Sequence, residues 1–322
     1  SFGKLILIII SFILSIFTFY LIEQPARKIK STKKVFYMMI LCAGIIFIYS
    51  VIVITKNGFL NRVKVKNYQE KHTFSYLTQD DKPCFGRSVD LCKFGFFKKK
   101  IILLGDSHMG SIAFDLYNRT KSKYSFLPIV MGGYFHLRES KLMNKHTKKI
   151  NTGYDNLRNN IDEILNKSKD NIIIIGGVTS LYFYNKRIEG RALHWDKMFV
   201  NKESLKHDVT SIENDFVNLI KELSLNNEVI LLYPIPEVGV NLQKKKFENM
   251  VRVFNYKYTD YLRQNNEVVN FFDTINLPNV HKVYTYKVFC DEEKNLCSTH
   301  DEDNFFFFDG YHPSIVGAKM IN

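Results

Sequence analysis

Lys100-Ile101-Ile102-Leu103-Leu104-Gly105-Asp106-Ser107-His108 is the stretch whose reading decides the fold. Its aliphatic run fits a buried strand, and Gly105 permits the tight turn that follows. From Ser107 onward, Ile112, Leu116 and Tyr117 recur at helical spacing, so Ser107 stands where a strand hands over to a helix. A hydroxyl there leaves the carboxyl edge of a sheet, beside helix N-terminal N–H groups that favour negative charge. An ordinary connection with a capping serine has the same local pattern.

The far end of the chain separates these readings. Phe305-Phe306-Phe307-Phe308-Asp309-Gly310-Tyr311-His312-Pro313 offers a carboxylate three residues before an imidazole. A nucleophilic serine needs a base within hydrogen-bond reach and a carboxylate that fixes the base's tautomer. Asp309 and His312 supply both. His108 is a poor rival base, because adjacent helical residues point about 100° apart; it reads as a local structural contact.

Gly-Asp-Ser-His early and Asp-x-x-His late resemble the SGNH (GDSL-like) hydrolase superfamily. The resemblance implies a flavodoxin-like α/β fold with a parallel sheet and helices on both faces. It also implies that Asp106 scaffolds the turn after Gly105, and that backbone N–H groups of Ser107 and of Gly132 or Gly133 form an oxyanion hole. Gly132 and Gly133 equally fit a plain turn. The superfamily's third block carries an Asn donor, but here Gly176-Gly177-Val178-Thr179 holds none. Asn185 and the Gly177 backbone are the nearest substitutes, and the hole stays incompletely assigned.

Alternation continues between the two motifs. Ser125 to Met131, Asn171 to Ile175, Val229 to Tyr233 and Val268 to Phe272 read as strands. Leu157 to Leu165, Thr210 to Leu223 and a segment through Phe247, Met250, Val251, Phe254 and Tyr258 read as helices, with Thr210 and Glu213 as a capping box. Such alternation argues a parallel sheet.

Ahead of this domain, Leu5 to Ile22 and Val35 to Thr55 are uncharged apolar runs of 18 and 21 residues. Each is long enough to cross a hydrocarbon core of about 30 Å. Arg27, Lys28, Lys30, Lys33 and Lys34 between them place that loop in the cytoplasm and both flanks outside. A signal peptide would carry its positive cluster before the first run. Tyr20-Leu21-Ile22-Glu23-Gln24-Pro25-Ala26-Arg27 resembles the end of the penultimate helix in the acyltransferase-3 (AT3) family. There a Glu-x-Pro motif precedes a basic loop, a final helix and, in some members, an SGNH domain. The expected division is therefore 1–55 as two membrane helices, 56–99 as an extracytoplasmic extension and 100–322 as the SGNH domain. A first residue that is not Met and already enters a span leads us to expect further spans upstream. A helix opened by Pro313 is expected to run past Asn322.

The chain has 322 residues and a formal net charge of +13. That basic excess fits a membrane face, and no nucleic-acid-binding motif accompanies it. Cys42 lies in the second run. Cys84 with Cys92 and Cys290 with Cys297 form two locally spaced pairs, read as disulfides in an external compartment. A four-cysteine zinc site is the alternative, with spacings wider than the usual knuckle. The acidic run Asp291, Glu292, Glu293, Asp301, Glu302 and Asp303 with His300 lacks a calcium-loop pattern and reads as a solvated loop.

The resemblance implies a membrane O-acetyltransferase at the bacterial inner membrane, with its C-terminal domain in the periplasm or outside the cell. Acetyl-CoA would be the ultimate donor, through an upstream acyltransferase membrane domain. A cell-surface polysaccharide such as lipopolysaccharide O-antigen, or a lipid-linked glycan, would be the acceptor. No cofactor or metal is expected in this chain. The alternatives are a membrane-anchored esterase or deacetylase, since a triad serves water as well as sugar, and a non-catalytic glycan-binding module.

Overall fold

The computed structural model describes residues 2–28, 31–56, 58–59, 76–87, 91–186, 196–240, 256–301 and 304–322. It divides into two units, residues 1–66 and 67–322. In the first, α1 (Phe2–Thr18) runs through a π-turn (Phe19–Glu23) into α2 (Gln24–Lys28), and α3 spans Thr32–Thr55. Lys4–Glu23 and Lys33–Thr55 are long and apolar enough to cross a membrane. Arg27 pairs with Glu23 one turn earlier, at 2.6 Å.

The second unit is built on five parallel strands. They are β3 (Lys100–Gly105), β4 (Ser125–Val130), β6 (Ile172–Gly176), β8 (Glu228–Leu232) and β9 (Val280–Val283). Their spatial order is β4-β3-β6-β8-β9, the flavodoxin-like arrangement. Ile101, Ile102, Leu103 and Leu104 of β3 are all buried, as are Ile173, Ile174 and Ile175 of β6. Unbroken apolar strands of this kind belong to sheets covered on both faces. On one side α4 (Ser107–Thr120) packs against α9 (Ile315–Ile321). On the other, α6 (Thr179–Tyr184) meets α7 (Val209–Ser224) and α8 (Tyr258–Thr274). Right-handed crossovers place the two groups on opposite faces. α5 (Thr152–Asn166) buries Tyr154, Ile161 and Leu165.

Several details differ from the sequence reading. Val268 to Phe272 is helical within α8, and Val268, Val269 and Phe272 form its buried face. Their β-branched and aromatic character suggests a strand, but packing against Phe216 decides for a helix. The last strand of the parallel sheet is β9, short and carrying His281 and Lys282, so it lacks an apolar signature. α7 is capped by Asp208, whose side chain accepts from Ser211 N–H; Thr210 is not the cap, and Glu213 accepts from the Tyr184 hydroxyl. Ser314, not Pro313, caps α9, its Oγ accepting from Gly317 N–H. The segment from Phe247 to Phe254 lies outside the described residues, and Tyr258 begins α8. An antiparallel pair, β5 (Lys141–Asn144) with β7 (Lys197–Val200), was not expected.

Residues before β3 are packed against its neighbour, the edge strand β4. The hairpin of β1 (Thr78–Gln79) and β2 (Lys82–Pro83) leads to a Cys84–Cys92 disulfide. Gly86 N–H donates to Val130 at 2.9 Å, and Phe94 pairs with Phe126 of edge strand β4. Cys290 and Cys297 are bonded across β10 (Cys290–Asp291) and β11 (Leu296–Cys297). Both bonds consume the thiolates that a four-cysteine zinc site would need.

Candidate active site

β3 ends at Gly105, where the sheet leaves no room for a side chain. Its φ is +156°, and a Cβ would stand 2.2 Å from the Gly176 carbonyl oxygen of β6. The chain turns there, and the next three residues go three ways. Asp106 turns inward: its Oδ1 accepts from His108 N–H at 2.8 Å, capping α4. Its Oδ2 accepts from Val178 N–H at 2.8 Å and from the Tyr182 hydroxyl at 2.9 Å. Asp106 thus ties the β3 turn to the end of β6, as a scaffold residue would.

Ser107 faces the carboxyl edge of the sheet. Its Oγ lies 2.8 Å from Nε2 of His312, and His312 Nδ1 lies 2.8 Å from Oδ2 of Asp309. The other Asp309 oxygen accepts from Tyr311 N–H and His312 N–H, both at 2.7 Å. The turn therefore fixes the carboxylate and imidazole together before either meets the serine. Burial pushes the Asp309 carboxyl up in pKa. The His312 hydrogen bond and charge and the two backbone donors outweigh it, holding the group at about 2. The ionised carboxylate favours the His312 tautomer with hydrogen on Nδ1, which leaves Nε2 free to accept from Ser107.

The other residues singled out from sequence fall as follows. Gly132 and Gly133 form a turn at the carboxyl end of β4, the strand beside β3, with Gly133 at φ +66°. Their N–H groups belong to the same sheet edge as Ser107. Gly177 has φ +147°, and a Cβ there would lie 2.9 Å from Asp106 Oδ2. Val178 and Thr179 are buried. Asn185 terminates α6 in a left-handed conformation, and its amide oxygen accepts from Lys145 Nζ. Among the described residues, no group of three or more His, Cys, Asp or Glu could hold a metal ion.

Two contributors lie outside both motifs. Phe85, between the bonded cysteines, packs so close to α4 that a Cβ on Gly110 would meet its ring at 2.9 Å. The loop after β8 clamps the triad turn, with Val238 N–H and Gly239 N–H both donating to Gly310 O, at 2.7 and 3.0 Å. Pro234 and Pro236 mark that loop in the sequence, but nothing in it signals the partner.

A flavodoxin-like sheet with a serine after its first strand and Asp-x-x-His before its last helix defines an SGNH-type α/β domain. The chain belongs to the family described as SGNH domain (fused to AT3 domains), which matches residues 75–322. Similar solved structures include the periplasmic domain of a lipopolysaccharide acetyltransferase from Salmonella ser. Paratyphi A. It is 16% identical with a TM-score of 0.42, over 69% of this chain and 80% of that one. An acetylxylan esterase from Geobacillus stearothermophilus is 15% identical with a TM-score of 0.33, over 69% of this chain and 90% of that one. A lipase from a goat rumen metagenome is 13% identical with a TM-score of 0.34, over 70% of this chain and 94% of that one. No curated protein matches the chain in sequence.

Proposed function

We propose that the chain is part of a membrane O-acyltransferase that moves an acetyl group through an acyl-serine onto a sugar hydroxyl of a cell-surface polysaccharide, such as lipopolysaccharide O-antigen. The observation that carries this reading is the continuous Ser107–His312–Asp309 hydrogen-bond chain, in a domain of a family fused to AT3 domains. Two helices able to cross a membrane and two disulfides support a membrane-anchored, extracytoplasmic setting at the bacterial inner membrane. An upstream acyltransferase membrane domain would supply the acetyl group from cytoplasmic acetyl-CoA.

In the first half-reaction Ser107 Oγ attacks the acetyl carbonyl and its proton passes to His312 Nε2. The bond to the donor's leaving group breaks, and that group takes the proton from His312. The transient alkoxide is met by Ser107 N–H and by the N–H of Gly132 or Gly133. In the second half-reaction a sugar hydroxyl gives its proton to His312 and attacks the ester carbon. Ser107 Oγ leaves and recovers the proton. Asp309 stays ionised throughout and stabilises the imidazolium.

Intact mass of the full chain in detergent, after incubation with p-nitrophenyl acetate, tests this mechanism. One acetyl group is expected on wild type and none on Ser107→Ala. Asp309→Asn should acetylate more slowly by about 10²–10⁴-fold, the range for a disabled general base. Polysaccharide that discharges the adduct faster than water supports transfer, whereas water discharging it equally well supports an esterase. A folded wild type that takes no acetyl group refutes the acyl-serine and favours glycan binding alone.

A further inference from the structure

His108 follows the serine directly, yet its side chain turns away from solvent and is only 1% exposed. Its Nε2 stands 3.5 Å from Oε1 of Glu237, which is 2% exposed. Glu237 belongs to the loop after β8, and its Oε2 accepts from Gln264 Nε2 of α8 at 2.5 Å. A carboxylate so deeply buried is retained only where polar neighbours compensate it. Gln264 and His108 are two such neighbours. On its other side the His108 ring meets His312 edge to face, with ring centroids 5.1 Å apart. The loop that carries Glu237 is also the one whose N–H groups hold Gly310. One segment therefore supports both the turn beneath His312 and the ring beside it.

This arrangement matters most after the serine has reacted. While Ser107 is free, His312 is fixed at both ends, Nδ1 by Asp309 and Nε2 by the serine hydroxyl. Once Ser107 is esterified its Oγ has no proton to share, and the Nε2 end of the ring loses that hold. Asp309 then anchors one end only. The His108 ring, packed edge to face on His312, is a contact that esterification of Ser107 leaves in place.

We propose that His108, braced by Glu237, is a positioning residue that keeps His312 aimed at the incoming hydroxyl through the acyl-enzyme stage. Its weight falls on discharge of the acetyl group more than on loading. This inference rests on Ser107 being the residue acetylated.

The test follows loading and discharge separately in the full chain in detergent, by rapid quench and intact mass with p-nitrophenyl acetate and water. His108→Asn and Glu237→Gln are each expected to load within about threefold of wild type and to hold the acetyl group about tenfold longer, the scale of a slightly misaimed base. The double variant should discharge no more slowly than either single, because the two residues act as one unit. A merely structural role would slow both steps together or lower the fraction of chains that load. Equal slowing of both steps, or an unchanged acetyl lifetime, overturns the proposal. Lifetimes are read only from chains that have loaded, so an unfolded fraction does not blur the result. If His108→Asn fails to fold, Glu237→Gln, which preserves shape, carries the same test. Wild type that never loads refutes the acyl-serine itself, a result distinct from loading with unaltered discharge.

Discussion

Asp106→Asn tests how the site is held together, because the substitution preserves shape and removes one acceptor. Asp106 is buried and accepts three hydrogen bonds, from His108 N–H, Val178 N–H and the Tyr182 hydroxyl. An asparagine with its oxygen toward Val178 and Tyr182 points an NH₂ at His108 N–H. That loses a helix cap worth about 1 kcal/mol. The two remaining bonds fall from charge-assisted to neutral strength, each costing about 1 kcal/mol. The opposite orientation is worse, since Val178 N–H would lose its acceptor inside the protein at about 1–3 kcal/mol, although Tyr182 could turn to accept. The expected loss is therefore about 3 kcal/mol. At about 2–4 °C per kcal/mol for a domain of this size, Tm should fall by about 6–12 °C. Thermal unfolding of the purified full chain measures it, with exposed Asp81→Asn as the control. A Tm within about 1 °C of wild type would show that Asp106 does not bind the two strand ends together.

The first disulfide and a buried histidine give two further tests. Replacing Cys84 and Cys92 together by serine opens a short covalent loop, and the chain-entropy relation puts its loss at about 2.5 kcal/mol; Tm should drop by about 5–10 °C, and no change would mean that the extension is held by packing alone. His136 is fully buried, and burial lowers its pKa from 6.5 although Asp162 pulls the other way. Below about pH 6.5 the unfolded chain therefore takes a proton that the fold resists, and stability should fall as pH drops from 7.5 to 5. Asp309 does not contribute in that window, because its carboxyl is held at about 2. Partial burial of His300 acts in the same sense, so His136→Gln should flatten the dependence in part. Urea midpoints at the two pH values measure this, and a slope as steep as wild type in the variant would refute it.

Much of this architecture was legible because the chain writes it locally. β3 and the turn after it need four aliphatic residues, a glycine and a helical face, all contiguous. The Asp309–His312 turn closes on itself through Tyr311 N–H and His312 N–H, so its geometry is implicit in a motif of four residues. What escaped depends on distant partners. Val268, Val269 and Phe272 suit a strand by residue type, and it is Phe216 on α7 that gives them a helical surface to cover. Thr210 and Glu213 have the spacing of a capping box, yet Asp208 lies nearer the first turn and Glu213 is drawn off to Tyr184.

The same distinction explains why the Ser107–His312–Asp309 arrangement could be read from the sequence and the proposed oxyanion donors could not. Serine, histidine and aspartate are chosen for side-chain chemistry, so each leaves its letter in the sequence. A backbone N–H belongs to every residue but proline, and no letter marks which one faces a developing alkoxide. A side-chain donor would have left such a mark after β6. At position 177, however, any Cβ would press on the Asp106 carboxylate, and Val178 and Thr179 are turned into the protein. The bond from Asp106 to Val178 N–H thus draws the β6 turn against the β3 turn so closely that position 177 excludes an asparagine. Asp106 thus leaves no room for a side-chain donor at position 177, and in the proposed mechanism the alkoxide would be met by backbone groups such as those of Ser107, Gly132 and Gly133.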